Sequence, residues 1–363
     1  MTAAESWSEV GERVRESRVA ARLTQAELAD RLDLDRTALA KIEAGTRQVS
    51  ALELYRLSDE LKLPIAHFVL RPPSAVVSRR GMLADEPDAA ARSGYFLDAD
   101  LAAHARDADW LVREGFLDVR GALQVEGSAG TPEQGRDLAR QARRALGADE
   151  EPLGGLAGVC ELFRLYVLPV DRDAEGASLT LDGYGVAVIG AQRQPGRRRW
   201  TAAHELGHHV LGDAYSSDVG VAASERDRES VIDAFAAEFL LPEAAVRAAW
   251  RPDDERTCLI ELAGRYRLSW SATVQAACRA ELLTAPEARS LRADTPTRGD
   301  FQLVLGDDPL PDLMLGEVGP GWRAAVLAAW TSAAITASRT VELLHGRLAA
   351  DELPHRRLPD LAP

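Results

Sequence analysis

The chain has little cysteine, no long apolar run and no excess of positive charge. Its three cysteines, Cys160, Cys258 and Cys278, stand far apart with no C-x-x-C pair. That spacing fits neither a disulfide framework nor a thiolate zinc site, and leaves them as core filler. No stretch of about 18 apolar residues occurs, and the N-terminus "MTAAESWSEVGERVRESR" is polar, so neither a transmembrane helix nor a signal peptide is expected. The expected location is the cytoplasm, with no membrane contact. A net charge of −14 argues against a chain that coats nucleic acid through bulk electrostatics. Any DNA contact has to be local.

What is present is length and apolar content. At 363 residues, 46% of them hydrophobic, the chain can bury two or three cores. Near its middle, "WTAAHELGHHVLGD" (200–213) places His204 and His208 at i and i+4, on one face of a helix, where they can share one ion. Glu205 is offset by about 100° around the axis, beside the ion and not on it. A carboxylate there can take a proton from a metal-bound water, whose pKa zinc lowers to roughly 7, and pass it to a departing amine. The H-E-x-x-H spacing is a known pattern for zinc-dependent peptide hydrolysis, although so short a pattern also arises without function. A catalytic zinc takes three protein ligands and an open position, so a third ligand is required.

Residues 10–70 repeat apolar side chains at helical spacing in short segments, "VGERVRESRVAARL", "TQAELADRL", "RTALAKIEAG" and "SALELYRLSDEL". The spacing predicts four or five short helices in a small all-α domain. Thr24 and Glu27 form a capping box, and Gly45 closes the third segment. Two of these helices are joined by the tight link "LDLD", a helix-turn-helix plan in which the second enters the major groove. The stretch "LTQAELADRLDLDRTALAKIEAGTRQVSALELYRLSDEL" resembles the XRE family of helix-turn-helix proteins. The resemblance implies that Gln25 meets a phosphate, that Arg36, Thr37 and Lys41 face base edges and that Arg47 contacts the DNA backbone. Residues 8–70 hold eleven acids and ten bases, so a bundle that binds protein is the competing expectation. A near-neutral module favours a homodimer reading two half-sites of a double-stranded operator. Pro72-Pro73 mark its exit.

Beyond a polar stretch, residues 129–171 read as a helix, a Gly-rich turn, a second helix and a strand over 164–170; "GYGVAVIGA" supplies a second strand, buried on both faces. Helix, strand, strand and histidine helix resemble the upper half of a zinc-peptidase fold, whose sheet edge lines the cleft and can accept an extended peptide. Downstream, "ESVIDAFAAEFLLPEAA" places Ile232, Phe235, Ala236, Phe239 and Leu240 at helical spacing, with Glu229 and Asp233 on another side. This resembles a thermolysin-like arrangement, which implies that Glu229 binds zinc and that Asp233 accepts the remaining N–H of a liganding imidazole. Glu225 and Asp227 are further carboxylates on this segment, and acids near a helix start can also serve the dipole alone. Together with "RRRWTAAHELGHHVLGD" the segment is similar to the ImmA/IrrE metallopeptidase family, whose pattern E-x-x-A-N-x-F-A-x-x-L-L-M-P it leaves at Ile232, Asp233 and Leu241. A histidine that often follows the helix in that family is replaced by Gly212-Asp213, which leaves the oxyanion stabiliser open, with Tyr215 a nominee. His209 is read as a supporting residue, and His67, His104, His345 and His355 carry no expected role.

The last third adds "LAGRYRLSWSATVQAA", similar to a small helix-turn-helix-like pair. A turn-rich segment with room for one strand follows (293–311), then two or three helices. The expected fold class is thus α+β and mostly helical: a helix-turn-helix domain (8–71), a linker and helical connection (72–133), a zinc-peptidase-like core with a small sheet (134–250), a helical extension (251–290) and a helical C-terminal region (291–363). The family resemblance implies one Zn2+ per chain held by His204, His208 and Glu229, with Mn2+ or Fe2+ as alternatives, and Glu205 as catalytic base. It also implies a protein substrate of the repressor or antitoxin type, cleaved under stress or in mobile-element control. A transcription factor whose peptidase-like domain only senses or scaffolds, and a toxin partner in a stress module, are the other expectations.

Overall fold

Short polar side chains set where the first helices begin. Ser6, Thr24, Asp35 and Ser50 each accept an amide N–H from the third residue of the helix that follows. The resulting helices are α1 (Trp7–Ala20), α2 (Gln25–Arg31), α3 (Arg36–Glu43) and α4 (Ala51–Leu61), followed by α5 (Ile65–Val69). The computed structural model describes residues 3–71, 89–212 and 222–356. Thr24 and Glu27 form the expected capping box. Gly45, at φ 68°, turns the chain out of α3 in a left-handed conformation. Val14, Leu28, Leu39, Ile42, Leu57 and Phe68 close the domain's core.

The connection between the two expected domains is itself structural. Its helix α6 (Ala89–Arg113) puts Tyr95 and Ala99 into the N-terminal core and Leu97, Leu101, Ala105 and Ala108 into a second core. Positions 95 and 97 lie about 200° apart around a helix, so one rod serves both cores from opposite sides. Buried His67 bonds the Tyr95 hydroxyl at 2.8 Å and faces Ser17 at 3.3 Å. Arg172 fastens the joint: it donates to Asp100 at 2.7 Å and to the Lys62 carbonyl at 2.8 Å, and lies 4.9 Å from the Phe96 ring centroid.

A three-stranded sheet follows α7 (Pro132–Leu146) and α8 (Leu156–Leu162). Its strands are β1 (Leu165–Val170), β2 (Gly176–Leu181) and β3 (Tyr184–Gly190), in the order β1-β3-β2. β1 runs parallel to β3 with Leu165 opposite Gly185, and β2 runs antiparallel with Leu181 opposite Tyr184. Two strands are expected from the sequence; the third, β2, is the correction. Its signal was local, since Asp182-Gly183 is a two-residue hairpin turn between alternating apolar residues. β3 is buried on both faces, as expected.

Period-two alternation divides the sheet between two cores. Tyr166, Leu168, Val186 and Val188 face α6 together with Trp322 and Val326 of α16 (Pro320–Thr331) and Leu343 of α17 (Ala337–Leu343). Leu165, Val167, Ala187 and Ile189 face α7, α8, α9 (Pro195–Val210) and α10 (Ala222–Leu240). A fourth core joins α11 (Glu243–Ala249), α12 (Glu255–Tyr266), α13 (Trp270–Arg279) and α14 (Ala285–Ala293). The strand expected within 293–311 is instead the helix α15 (Arg298–Leu305), begun by a capping box of Thr297 and Asp300.

The C-terminal helices belong to the body of the protein. Glu161 of α8 accepts the amides of Gly321 and Trp322 and so caps α16. Asp312 takes the guanidinium of Arg199, which is fully buried on α9, and the amide of Leu156 at 3.1 Å. His104 is buried against Trp322, its Nε2 on the Tyr166 carbonyl at 3.1 Å, and burial pushes its imidazole down to about 3. The fold class is therefore α+β and mostly helical. Cys160 and Cys258 are buried and Cys278 is half-buried, all three unbridged. Among the described residues no helix is long and apolar enough to cross a membrane.

Candidate metal centre and DNA-facing helix

The centre is built on two helices pressed face to face. Ala202, Ala203 and Leu206 of α9 meet Phe235, Ala236 and Phe239 of α10 in the core. Gly207 lets the axes approach, since a side chain there would press on Ile232 and Phe235 at 3.1 Å. Their common flank carries the half-buried His204 and His208 on α9 and the exposed Glu229 and Asp233 on α10.

Donor atoms of His204, His208 and Glu229 all lie within 4.8 Å of one another. His204 Nε2 stands 3.2 Å from His208 Nε2 and 3.1 Å from Glu229 Oε2, and His208 Nε2 stands 3.7 Å from Glu229 Oε1. Two donors placed about 2.05 Å from one tetrahedral ion are about 3.3 Å apart, so the spacing suits a small divalent cation. On the far side of the ring, His204 Nδ1 donates to Asp233 Oδ1 at 3.1 Å. That bond leaves the Nε2 lone pair facing the cluster, the tautomer a metal ligand needs. Burial opposes a charged His204, but the Asp233 hydrogen bond and the nearby Glu205 and Glu229 outweigh it and hold the imidazole above its ordinary value. The field that favours a proton there favours a cation equally. Nitrogen, nitrogen and carboxylate oxygen are an ordinary donor set for zinc, and manganese or iron can use it too.

Glu205 is not one of the clustered donors. It is buried beside β2 and accepts a 2.6 Å hydrogen bond from the hydroxyl of Ser178. Ser178 and Gly176, which also borders Glu205, both lie on β2, the strand that sequence periodicity does not reveal. His209 supports the fold: its Nε2 donates to the Phe163 carbonyl at 2.9 Å, and its ring covers Gly185, where a Cβ would stand 2.6 Å from Nδ1. Burial lowers its pKa, with the Phe163 contact opposing. Asp227 is exposed and stays outside the cluster. Asp213, Tyr215 and the side chain of Glu225 lie outside the described residues.

In the N-terminal domain, Arg36, Thr37 and Lys41 are exposed on α3. Gln25 is engaged internally, its amide donating to Glu43 Oε2 at 2.8 Å beside the Arg18–Glu43 pair. Arg47 is paired with Glu53 at 2.7 Å. Three of the five residues expected to meet DNA thus face solvent, and the other two hold internal partners.

Comparison with known proteins meets both halves of this geometry. Residues 14–68 match the helix-turn-helix family model, and residues 167–277, which contain β2, β3 and the centre, match the peptidase family described as the IrrE N-terminal-like domain. The chain joins a helix-turn-helix domain to an IrrE-like peptidase-family domain. The IrrE-like match begins within β1 and ends within α13, so the helical pair after the centre belongs to the matched region. No curated protein matches the chain. Among solved structures, Bacillus thuringiensis PlcR in complex with the peptide PapR7 and DNA aligns over 82% of this chain and 96% of its own, at 11% identity and a TM-score of 0.19.

Proposed function

We propose that the chain is a DNA-binding transcriptional regulator whose IrrE-like domain is a zinc-dependent endopeptidase acting on a repressor or antitoxin-like protein, in a stress or mobile-element response. The observation that carries this reading is the convergence of His204, His208 and Glu229, with Asp233 behind one ring and Glu205 alongside, inside a peptidase-family domain. In this reading His204, His208 and Glu229 hold the ion. When bound, zinc supplies a Lewis acid and an acidified water. Asp233 orients His204. Glu205 accepts the proton of the attacking water and returns it to the departing amine nitrogen, balancing the hydrolysis. The outer edge of β2 gives an extended substrate a row of backbone partners beside Glu205.

The domains we assign are 8–71, 72–133, 134–250, 251–290 and 291–363. For the DNA-reading part, a homodimer places two copies of α3 in successive major grooves of an operator, Arg36, Thr37 and Lys41 meeting base edges and Gln25 and Arg47 the phosphates. Arg36→Ala should cost about 1–3 kcal/mol of operator binding and relax base preference at one position per half-site, read by selection from randomised duplexes. Unchanged preference would remove Arg36 from the interface.

The peptidase arm is tested by expressing the chain in a bacterial host and mapping new protein N-termini by mass spectrometry. Cleavage by the purified, zinc-loaded chain, blocked by a chelator and restored by zinc, is the expected result. A zinc-loaded chain that cleaves nothing while its DNA footprint responds to a small ligand would favour the sensor or scaffold reading.

A further inference from the structure

A glutamate that moves protons must be held in one place, and Glu205 is 5% exposed, deep between α9 and β2. Gly176 and Ser178 lie two apart on β2 and so point to the same face of the strand. That face looks toward the Glu205 carboxylate. Ser178 Oγ donates to Oε2 at 2.6 Å. At 176 an added Cβ would stand 3.0 Å from Oε1 and 2.5 Å from Thr201 Cγ2. One position therefore holds the carboxylate and the other makes room for it.

We propose that Ser178 is a positioning residue for Glu205, with Gly176 as the space that permits it, so that the edge strand offered to substrate also fixes the proton carrier. This inference rests on the peptidase reading above. A glutamate side chain has several rotamers open to it, and ordering it costs free energy that a charge-assisted hydrogen bond offsets. The Ser178 bond selects the rotamer beside the strand before substrate arrives, so the base is already in place when an extended peptide pairs with β2. Thr201 and Glu175 tie the start of β2 to α9, with Thr201 Oγ1 donating to Glu175 Oε2 at 3.2 Å and Arg197 donating to the same oxygen at 2.8 Å. Strand and helix thus share a fixed spacing around Glu205.

The test uses the zinc-loaded chain and a dipeptide hydroxamate, leucyl-phenylalanyl hydroxamate, whose acidic proton the Glu205 carboxylate would take up. Affinity is measured by titration calorimetry, with zinc content and melting temperature recorded for every variant. Ser178→Ala is expected to keep one zinc and weaken the hydroxamate about tenfold, the scale of a lost hydrogen bond to a charged group. Ser178→Thr should restore most of the affinity, and Gly176→Ala should weaken it while leaving the hydroxyl intact. In a Glu205→Gln background Ser178→Ala should change nothing further, because the group it positions is gone. Equal affinity in wild type and Ser178→Ala, or an undiminished loss in the Glu205→Gln background, would overturn the proposal and leave Ser178 as a fold contact. A zinc-loaded wild type that binds no hydroxamate would instead overturn the peptidase reading on which the proposal stands.

Discussion

Glu205→Gln is expected to retain its metal and lose peptide hydrolysis by about 10²–10⁴-fold, the usual contribution of a positioned general base. Glutamine is isosteric and can still accept from Ser178, so the strand and helix keep their contact. It cannot take up a proton. The site chemistry is lost while the architecture stays, which separates this residue from the proposed ligands. The measurement is the initial rate on a substrate found by N-terminal mapping, with elemental analysis of the same sample. Persistent hydrolysis in a zinc-loaded variant would remove Glu205 from the mechanism.

The second large effect concerns stability and reaches the histidine helix α9 from the segment before α16. Asp312 is 2% exposed and binds Arg199, which is fully buried on α9 one turn before the His204 region. It also accepts the Leu156 amide, and Arg267 lies 3.8 Å away. Asp312→Ala leaves a buried guanidinium without its counter-charge, and breaking such a pair costs about 3–5 kcal/mol. Urea unfolding should show that loss. Arg199→Met combined with Asp312→Ala should recover much of it, because the uncompensated charge is then absent too. A loss below about 1 kcal/mol in the single variant would show that Arg199 finds other partners. A consequence for the C-terminal region follows: removing it takes away Asp312 together with the Glu161-capped α16, so the peptidase-family domain should not fold without it.

The parts legible in the sequence are those whose cause is local. His204, Glu205 and His208 lie within five residues, and helical spacing alone puts the two imidazoles on one flank. The helices of the N-terminal domain announce themselves through Thr24-Glu27 and the polar residues before each apolar run. Pairing across the sheet is different in kind. β2 has only six residues, beginning with glycine, and its place beside β3 depends on a partner strand and on α9 packing over it. The Asp182-Gly183 turn was the available clue, and it marks the hairpin only once both flanking runs are read as strands. Ser178 and Gly176, which border Glu205, are illegible with β2. α6 lies in the expected helical connection, but its double role is not legible for a related reason: a helix with apolar residues on opposite sides shows no single stripe, although each stripe serves its own core. Segment 298–305 failed as a strand because Thr297 and Asp300 start a helix there, and cap chemistry outweighed the turn-rich composition. Glu229 and Asp233 fall between. Their spacing is local, but their approach to His204 depends on how α10 packs across α9, fixed by Gly207 and the phenylalanines.

We propose that His204, His208 and Glu229 together hold a catalytic metal. Elemental analysis of the purified chain and of Glu229→Ala distinguishes a bound ion from an unoccupied cluster of donors. Close to one zinc per wild-type chain and almost none in the variant, with both proteins folded, is the expected result. No zinc in either, even after incubation with excess metal, or equal zinc in both, would contradict it.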